Sequence, residues 1–369
     1  MHIAPAVLPP APAEKLQLAA FTGAEIVALA EQLPKGRGAA RAIYRQALRE
    51  QRFDPNAHGL SAEGAQAWAD RFALDLPRVV RKAEEDTDLG PTAKLVMALH
   101  DGLECESVVL PMGRGRTTLC ISSQVGCKMG CKFCETARMG LLRHMTTAEI
   151  IGQILRARAE GFTVNNVVFM GMGEALDNAD NVIQAVRVIT DPAGMALGQE
   201  RVTVCTVGRI DGIRKLAEAS FRRLNLSISL NAPDDVLRSS IMPIGRTVSL
   251  AQLQQALIEY RPRDNFAVGV NYCLLPGIND AAEHAAGIAT FCAPLGRVMV
   301  NLIPYNPGSA PLTRAPEEDE VERFVGYLRE HGLPVRRRIT KGRTVMAACG
   351  QLGNVELRRK RAATTPTPL

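Results

Sequence analysis

From about residue 105 onward the chain alternates short β-branched runs with helical segments, and few folds accept that rhythm. The strand candidates are SVVLP, TTLCISS, NVVFM, RVTVCT, LNLSISL, VGVNYCLL and VMVNLIPY. Apolar residues at helical spacing fill the gaps at about 146–160, 178–190, 209–220, 249–260, 281–293 and 317–331. Two of these helices open with capping-box spacing, Thr146 with Glu149 and Ser249 with Gln252. Regular βα alternation predicts a parallel sheet covered by helices. SVVLP is a candidate hairpin partner of TTLCISS. Counting from TTLCISS leaves six βα units, too few for a closed eight-stranded barrel and suited to an open, partial (β/α)6 barrel. Its active face is expected at the C-terminal strand ends.

The rest of the chain divides around that core. Residues 1–19 read as a flexible Pro/Ala arm. Residues 20–100 read as a small helical accessory domain, with helices in TGAEIVALAEQL, GAARAIYRQALREQ, SAEGAQAWADRFA and GPTAKLVMAL. The core is expected over 101–355 and a basic disordered tail over 356–369. No short repeat is present. A 46% apolar, 22% charged composition excludes a mainly disordered chain. No run approaches the ~20 apolar residues of a membrane span, and the N-terminus lacks a signal-peptide pattern, so a cytoplasmic protein without a membrane partner is expected.

The net charge is +6. Arg37, Arg41, Arg45 and Arg49 form one helical stripe. Arg336–Arg338 and the run Arg358, Arg359, Lys360, Arg361 form two more basic groups. Each alone reads as a solvated face; together they suit a polyanionic partner such as RNA or DNA.

Nine cysteines in a chain of this class favour metal or thiol chemistry over a disulfide framework. Cys127, Cys131 and Cys134 have the spacing C-x3-C-x2-C, directly after a predicted strand, on a loop with Gly126 and Gly130. Three thiolates can hold three irons of a [4Fe–4S] cluster and leave the fourth open. A structural zinc would need a fourth ligand, for which only His144 offers itself on spacing. Unligated core cysteines are the third reading.

The motif, with Phe133 before its last cysteine, resembles the signature of the radical S-adenosylmethionine (SAM) superfamily. That resemblance implies that SAM chelates the open iron and is cleaved by one electron to a 5′-deoxyadenosyl radical. GMGEALDN, after the strand NVVFM, is similar to the superfamily's motif for the SAM amino group, which implies that role for Gly171, Gly173 and Glu174.

Six ordered segments narrow the resemblance further: TLCISSQVGC with its following cysteines, FMGMGEAL, SISLNAPDDVLRSSIMPI, PGIND, LIPYNP and ACGQL. Over residues 104–353 they resemble the RlmN/Cfr family of radical SAM RNA methyltransferases, which act on adenine carbons. The resemblance implies two SAM molecules per turnover. The first methylates Cys349; the radical from the second removes a hydrogen from that methyl group, and the methylene radical adds to adenine. Glu106, with Glu104 as second choice because the PMGRGRTTL loop is one residue longer, is implied as the base. Cys120 is implied to release the product as a disulfide with Cys349, which a reductant then resets. Further implied SAM contacts are Cys205, Ser229, Leu230, Asn231 and Asn306, with Tyr305 either packing or touching ribose. Asn231 stands where the family usually has His, and Cys205 where relatives often have Ser.

The expected substrate is 23S rRNA at the peptidyl-transferase centre, with tRNA as a further target, and C2 is preferred to C8. The Arg41/Arg45/Arg49 stripe, Arg336–Arg338, Arg114 and Arg116 are the candidate phosphate contacts. A flavodoxin or ferredoxin is the expected electron donor, and a monomer the expected state. The alternatives are a radical SAM maturase or small-molecule methylase, which would not bind RNA, and a non-catalytic RNA-binding iron–sulfur protein, which would not need Cys120 and Cys349.

Overall fold

The computed structural model describes residues 15–33, 36–263 and 265–354. Among them, ten strands build one continuous sheet. Seven run parallel, in spatial order Thr117–Cys120, Asn166–Phe169, Val202–Thr206, Asn225–Ser229, Val268–Leu274, Val298–Pro304 and Val335–Arg337. A helical crossover separates each from the next, which makes the fold an α/β partial barrel of six βα units. Both expected capping boxes are formed: Thr146 and Glu149 exchange bonds of 3.2 and 2.9 Å, and Ser249 and Gln252 do the same at 3.2 and 2.9 Å. The final short strand, VRR, has one apolar residue and gave no strand signal. The helix Asp235–Ile241 was also not anticipated.

Strand alternation decides what faces where. Val204, Ile228, Val270, Tyr272, Val300 and Leu302 are buried in the apolar core with the helices. The intervening positions are polar: Thr203, Cys205, Ser227, Asn271 and Asn301. Registers Cys205↔Ser227, Ser229↔Asn271 and Asn271↔Asn301 align them across neighbouring strands. These strands therefore turn polar side chains into an open lumen, whose remaining lining, including Val108, Val168 and Ile303, is apolar.

The helical domain expected over 20–100 is shorter than that. Helices Gly23–Leu29, Gly36–Glu50 and Ala62–Arg71 are present, packed around Trp68, Tyr44 and Phe72. The segments Arg78–Glu85 and Thr92–Ala98 are strands, and with Glu104–Pro111 they extend the barrel sheet antiparallel to its first strand. The hairpin of SVVLP with TTLCISS thus exists within a longer meander. The run AKLVMAL is too short for its period to separate helix from strand, and tertiary pairing settles it. The expected arm also ends sooner: Leu16–Gln17 pairs with Phe72–Ala73, and Leu18 is fully buried. Residues 1–14 and the tail over 356–369, with its basic run, lie outside the described residues. No described helix is long and apolar enough to cross a membrane.

One buried side chain fixes the top of the barrel. Asn279, in PGIND, accepts from the Leu275 N–H at 2.7 Å and donates to the carbonyls of Asn231 and Cys273 at 2.9 and 2.8 Å. It thereby joins the ends of the fourth and fifth barrel strands. Asn279→Leu leaves three backbone groups unpaired, and unfolding in denaturant is expected to show a loss of about 3 kcal/mol.

Candidate active site

The cysteine loop leaves the first barrel strand through a small hairpin, Gln124–Cys127 against Gly140–His144. Gly126, at φ 76°, makes this turn possible, since a Cβ there would run into the Gly140 carbonyl. Cys127, Cys131 and Cys134 carry free thiols and line one cavity of about 170 Å³. Burial pushes the Cys127 thiol up to about 12 and raises those of Cys131 and Cys134. Thiols in this state give up their protons only to a strongly bound cation. Among the described residues no three donors converge on a single-ion position. His144 instead accepts from Gln124 at 3.0 Å, so it supplies no fourth ligand for zinc. Three thiols distributed along one wall fit a four-iron cluster, whose irons are themselves spread over a cube.

Glu174 lines the same cavity at the end of the second barrel strand. Gly173, at φ 99°, lies where a Cβ would overlap the Gln124 side chain, and Gln124 accepts from the Glu174 N–H at 2.8 Å. Burial pushes the Glu174 carboxyl up to about 7, against the opposing N–H bonds from Val207 and Leu176 at 2.9 and 3.0 Å. A buried carboxylate held near neutrality suits a cationic ligand.

Cys205, Ser229 and Asn231 complete this cavity. The Cys205 sulfur lies 3.6 Å from the Ser229 hydroxyl and accepts from Asn271 at 3.1 Å. Asn231 sits at φ 59°, the left-handed region that Asn tolerates well. Its Oδ1 accepts from the Cys273 N–H at 2.8 Å, so the residue in place of His has a full structural role. Leu230 does not face the cavity: its side chain is fully buried in the apolar core, because alternation turns it away from its neighbours. Tyr305 packs in the apolar cluster beside Cys127 and Cys131, and its hydroxyl accepts from the Leu312 N–H.

A second cavity, of about 510 Å³, adjoins the first, and Cys134, Asn271, Cys349 and Gly350 line both. Cys120 and Asn306 line the larger one. Cys349 is reached by solvent at this junction. The surrounding protein raises its thiol pKa, while the Arg338 guanidinium pulls it back down. Cys120 is buried and its thiol is raised further, first by burial and then by the charge of Cys349.

The segment carrying Cys349 is irregular and is held from several sides. Gly350 accepts from the Glu135 N–H at 2.8 Å, and Leu352 from the Thr136 hydroxyl at 2.6 Å. Glu85 accepts from the N–H groups of Gly342 and Thr344 at 2.7 and 2.8 Å. Lys94 donates to the Met346 carbonyl and pairs with Glu106, each at 3.0 Å, and Glu106 accepts from the Gly353 N–H at 3.0 Å. Glu106 is therefore buried beneath this segment, and it lines neither cavity. Glu104 opens the same strand two residues earlier, 3.8 Å from Arg81.

Sequence reasoning missed Asn271, Gln124 and Lys94. The signal for Asn271 was a polar residue inside the apolar run VGVNYCLL. The arginine groups also separate: Arg337 pairs with Glu318 and with Glu322, Arg49 donates to the Gly194 carbonyl at 2.7 Å, and Arg41 and Arg45 are exposed.

Residues 121–287 match the model of the radical SAM superfamily. A probable dual-specificity RNA methyltransferase RlmN 1 of Protochlamydia amoebophila is 42% identical over 92% of this chain and 94% of its own. The dual-specificity RNA methyltransferase RlmN of Syntrophotalea carbinolica is 40% identical over 75% of this chain and 73% of its own. A radical SAM methyltransferase structure from Sphaerobacter thermophilus superimposes with a TM-score of 0.82 at 36% identity, covering 91% of this chain and 98% of that one. A radical SAM domain of this family implies a [4Fe–4S] cluster and SAM, and the cavity chemistry above fits both. The chain belongs to the RlmN/Cfr family of radical SAM RNA methyltransferases.

Proposed function

We propose that this enzyme methylates a ring carbon of adenine, C2, in 23S rRNA and also in tRNA, using Cys349 as a methyl carrier and two SAM molecules per turnover. The observation that carries this reading is the position of Cys349, at the junction of the cavity lined by the three cluster thiols and the cavity lined by Cys120. The dual specificity in the relatives' names supports two RNA classes.

Cys127, Cys131 and Cys134 would hold the cluster. When bound, it supplies the single electron that breaks SAM and so furnishes a hydrogen-abstracting radical. Glu174, ionised, pairs with the SAM ammonium, and the Cys205–Ser229–Asn231 wall positions the rest of the molecule. A thiolate is needed because adenine C2 is a poor nucleophile toward a methyl cation. Arg338 favours that thiolate at Cys349. Cys349 takes the first methyl group, loses one of its hydrogens, and presents the methylene to adenine. The adduct loses one electron, which the oxidised cluster would take back, and its ring proton, for which Glu106 is the proposed acceptor. The Cys120 thiolate then attacks the Cys349 sulfur and breaks its bond to the methylene carbon, which takes up a proton to complete the methyl group, and the resulting Cys120–Cys349 disulfide is reopened by a thiol reductant. A flavodoxin- or ferredoxin-type protein delivers the electron.

Cys349→Ala is expected to abolish methyl transfer to RNA, and Cys120→Ala to accumulate a covalent protein–RNA adduct visible on a denaturing gel. Normal turnover by the Cys349→Ala enzyme would refute the carrier. The Glu174 pairing has its own test. A carboxyl titrating near 7 is mostly ionised at pH 7.5 and mostly protonated at pH 6, so SAM affinity measured by equilibrium dialysis should fall about tenfold across that interval. An affinity independent of pH would remove Glu174 from the ammonium site.

A further inference from the structure

The mouth of the larger cavity has two unlike sides. One carries Arg336, Arg337 and Arg338, all of which line the cavity; the Arg337 guanidinium is paired with Glu318 and Glu322, which leaves Arg336 and Arg338 as its inward cations. Among the described residues, no protein hydrogen bond or ion pair engages either inward guanidinium. Arg201 adds a third cation at the N-terminal end of the lumen, 3.5 Å from the Asn166 side-chain oxygen. Glu200, the carboxylate on this wall, lies 3.6 Å from Arg223.

The other component of this mouth is an apolar lip. Leu89, Met112 and Ile339 are 48, 45 and 76% exposed, which is unusual for side chains of this size, and all three line this one cavity. They come from three separate parts of the chain. Leu89 is on the turn joining Arg78–Glu85 to Thr92–Ala98, and Met112 is on the turn after Glu104–Pro111. These two turns touch, since a Cβ on Gly113 would lie 3.6 Å from Leu89. Lys341 donates to the Pro111 carbonyl and so ties the Ile339 segment to the same lip. No aromatic side chain lines the cavity, so stacking platforms are not its means of holding a base. Branched and linear apolar side chains beside cations are instead the composition of a wedge that keeps a nucleotide out of its stack.

We propose that this mouth is where the RNA strand docks around its extruded adenine: Arg336 and Arg338 bind the phosphates flanking that nucleotide, and Leu89, Met112 and Ile339 fill the gap it leaves in the stack. The cavity of about 510 Å³ then holds the base between Cys120 and Cys349. This inference rests on the reading that Cys349 delivers the methyl group, and it identifies how substrate reaches that sulfur. A carboxylate, such as that of SAM, is the other anion that Arg338 could bind, and the test separates the two.

The experiment uses the full-length reconstituted holoenzyme and a 23S rRNA transcript, with iron content checked in each variant. Arg336→Gln and Arg338→Gln each weaken RNA binding by about tenfold, the loss expected for a charge-assisted hydrogen bond. Each also lowers the log–log salt dependence of binding by about one unit. Arg337→Gln changes neither quantity. Ile339→Ser keeps the salt dependence and slows methylation at saturating transcript. Unchanged salt dependence in both inward-arginine variants overturns the proposal. So does intact RNA binding in Arg338→Gln together with weakened SAM binding measured by equilibrium dialysis, which would assign Arg338 to the SAM carboxylate. A wild-type enzyme that shows the predicted salt dependence and never methylates Cys349 would overturn the carrier reading and leave the docking site standing.

Discussion

A reactive thiol on an irregular stretch of backbone has to be held still, and the buried Lys94–Glu106 pair does much of that holding. Residues 342–353 contain no regular helix or strand, so few of their hydrogen bonds come from within. The surrounding sheet provides the partners instead. Glu85, Lys94 and Glu106 come from the three antiparallel strands, and Glu135 and Thr136 from the helix that follows the last cluster cysteine. Removing one member of a buried ion pair leaves an uncompensated charge, typically at about 3–5 kcal/mol. The antiparallel extension is thus part of the active site's construction rather than an appendage to the barrel.

The barrel itself explains why such a segment is needed. Its inward positions mix polar side chains with apolar ones such as Val168 and Ile303 around open space for ligands, whereas the outward positions carry the apolar burial that stabilises the fold. An incomplete barrel also leaves a lateral gap between its first strand and its last. The Cys349 segment and the two hairpin turns border the interior there, which is divided into a small cavity and a large one with Cys349 and Cys134 both on the boundary. Under the proposed carrier role, this partition keeps the two ligands apart except at the Cys349 sulfur.

The sequence made some of this legible and concealed the rest for identifiable reasons. Cys127, Cys131 and Cys134 could be read because a cluster demands its ligands at short, local spacing. The βα alternation could be read because each crossover is local as well. Lys94 could not be paired with Glu106 in advance. Their contact depends on the register Lys94↔Val108 and Val96↔Glu106, which makes them diagonal neighbours across two strands, one of which resembled a helix. Arg336, Arg337 and Arg338 formed one basic group in the sequence, and a three-residue strand too short to anticipate gives them opposite tasks. Leu230 was grouped with Ser229 and Asn231 for the complementary reason: proximity in sequence places alternate residues of a strand end on different faces.

The wall that completes both cavities lies later in the chain than every barrel strand. During translation the sheet and the cysteine loop therefore emerge from the ribosome before residues 342–353. Until that segment docks, the small cavity lacks the part of its lining that Cys349 and Gly350 supply beside Cys134. The chain's direction therefore sets the cysteine loop before the segment that encloses it, and enclosure of the small cavity is the last part of the fold to be synthesised.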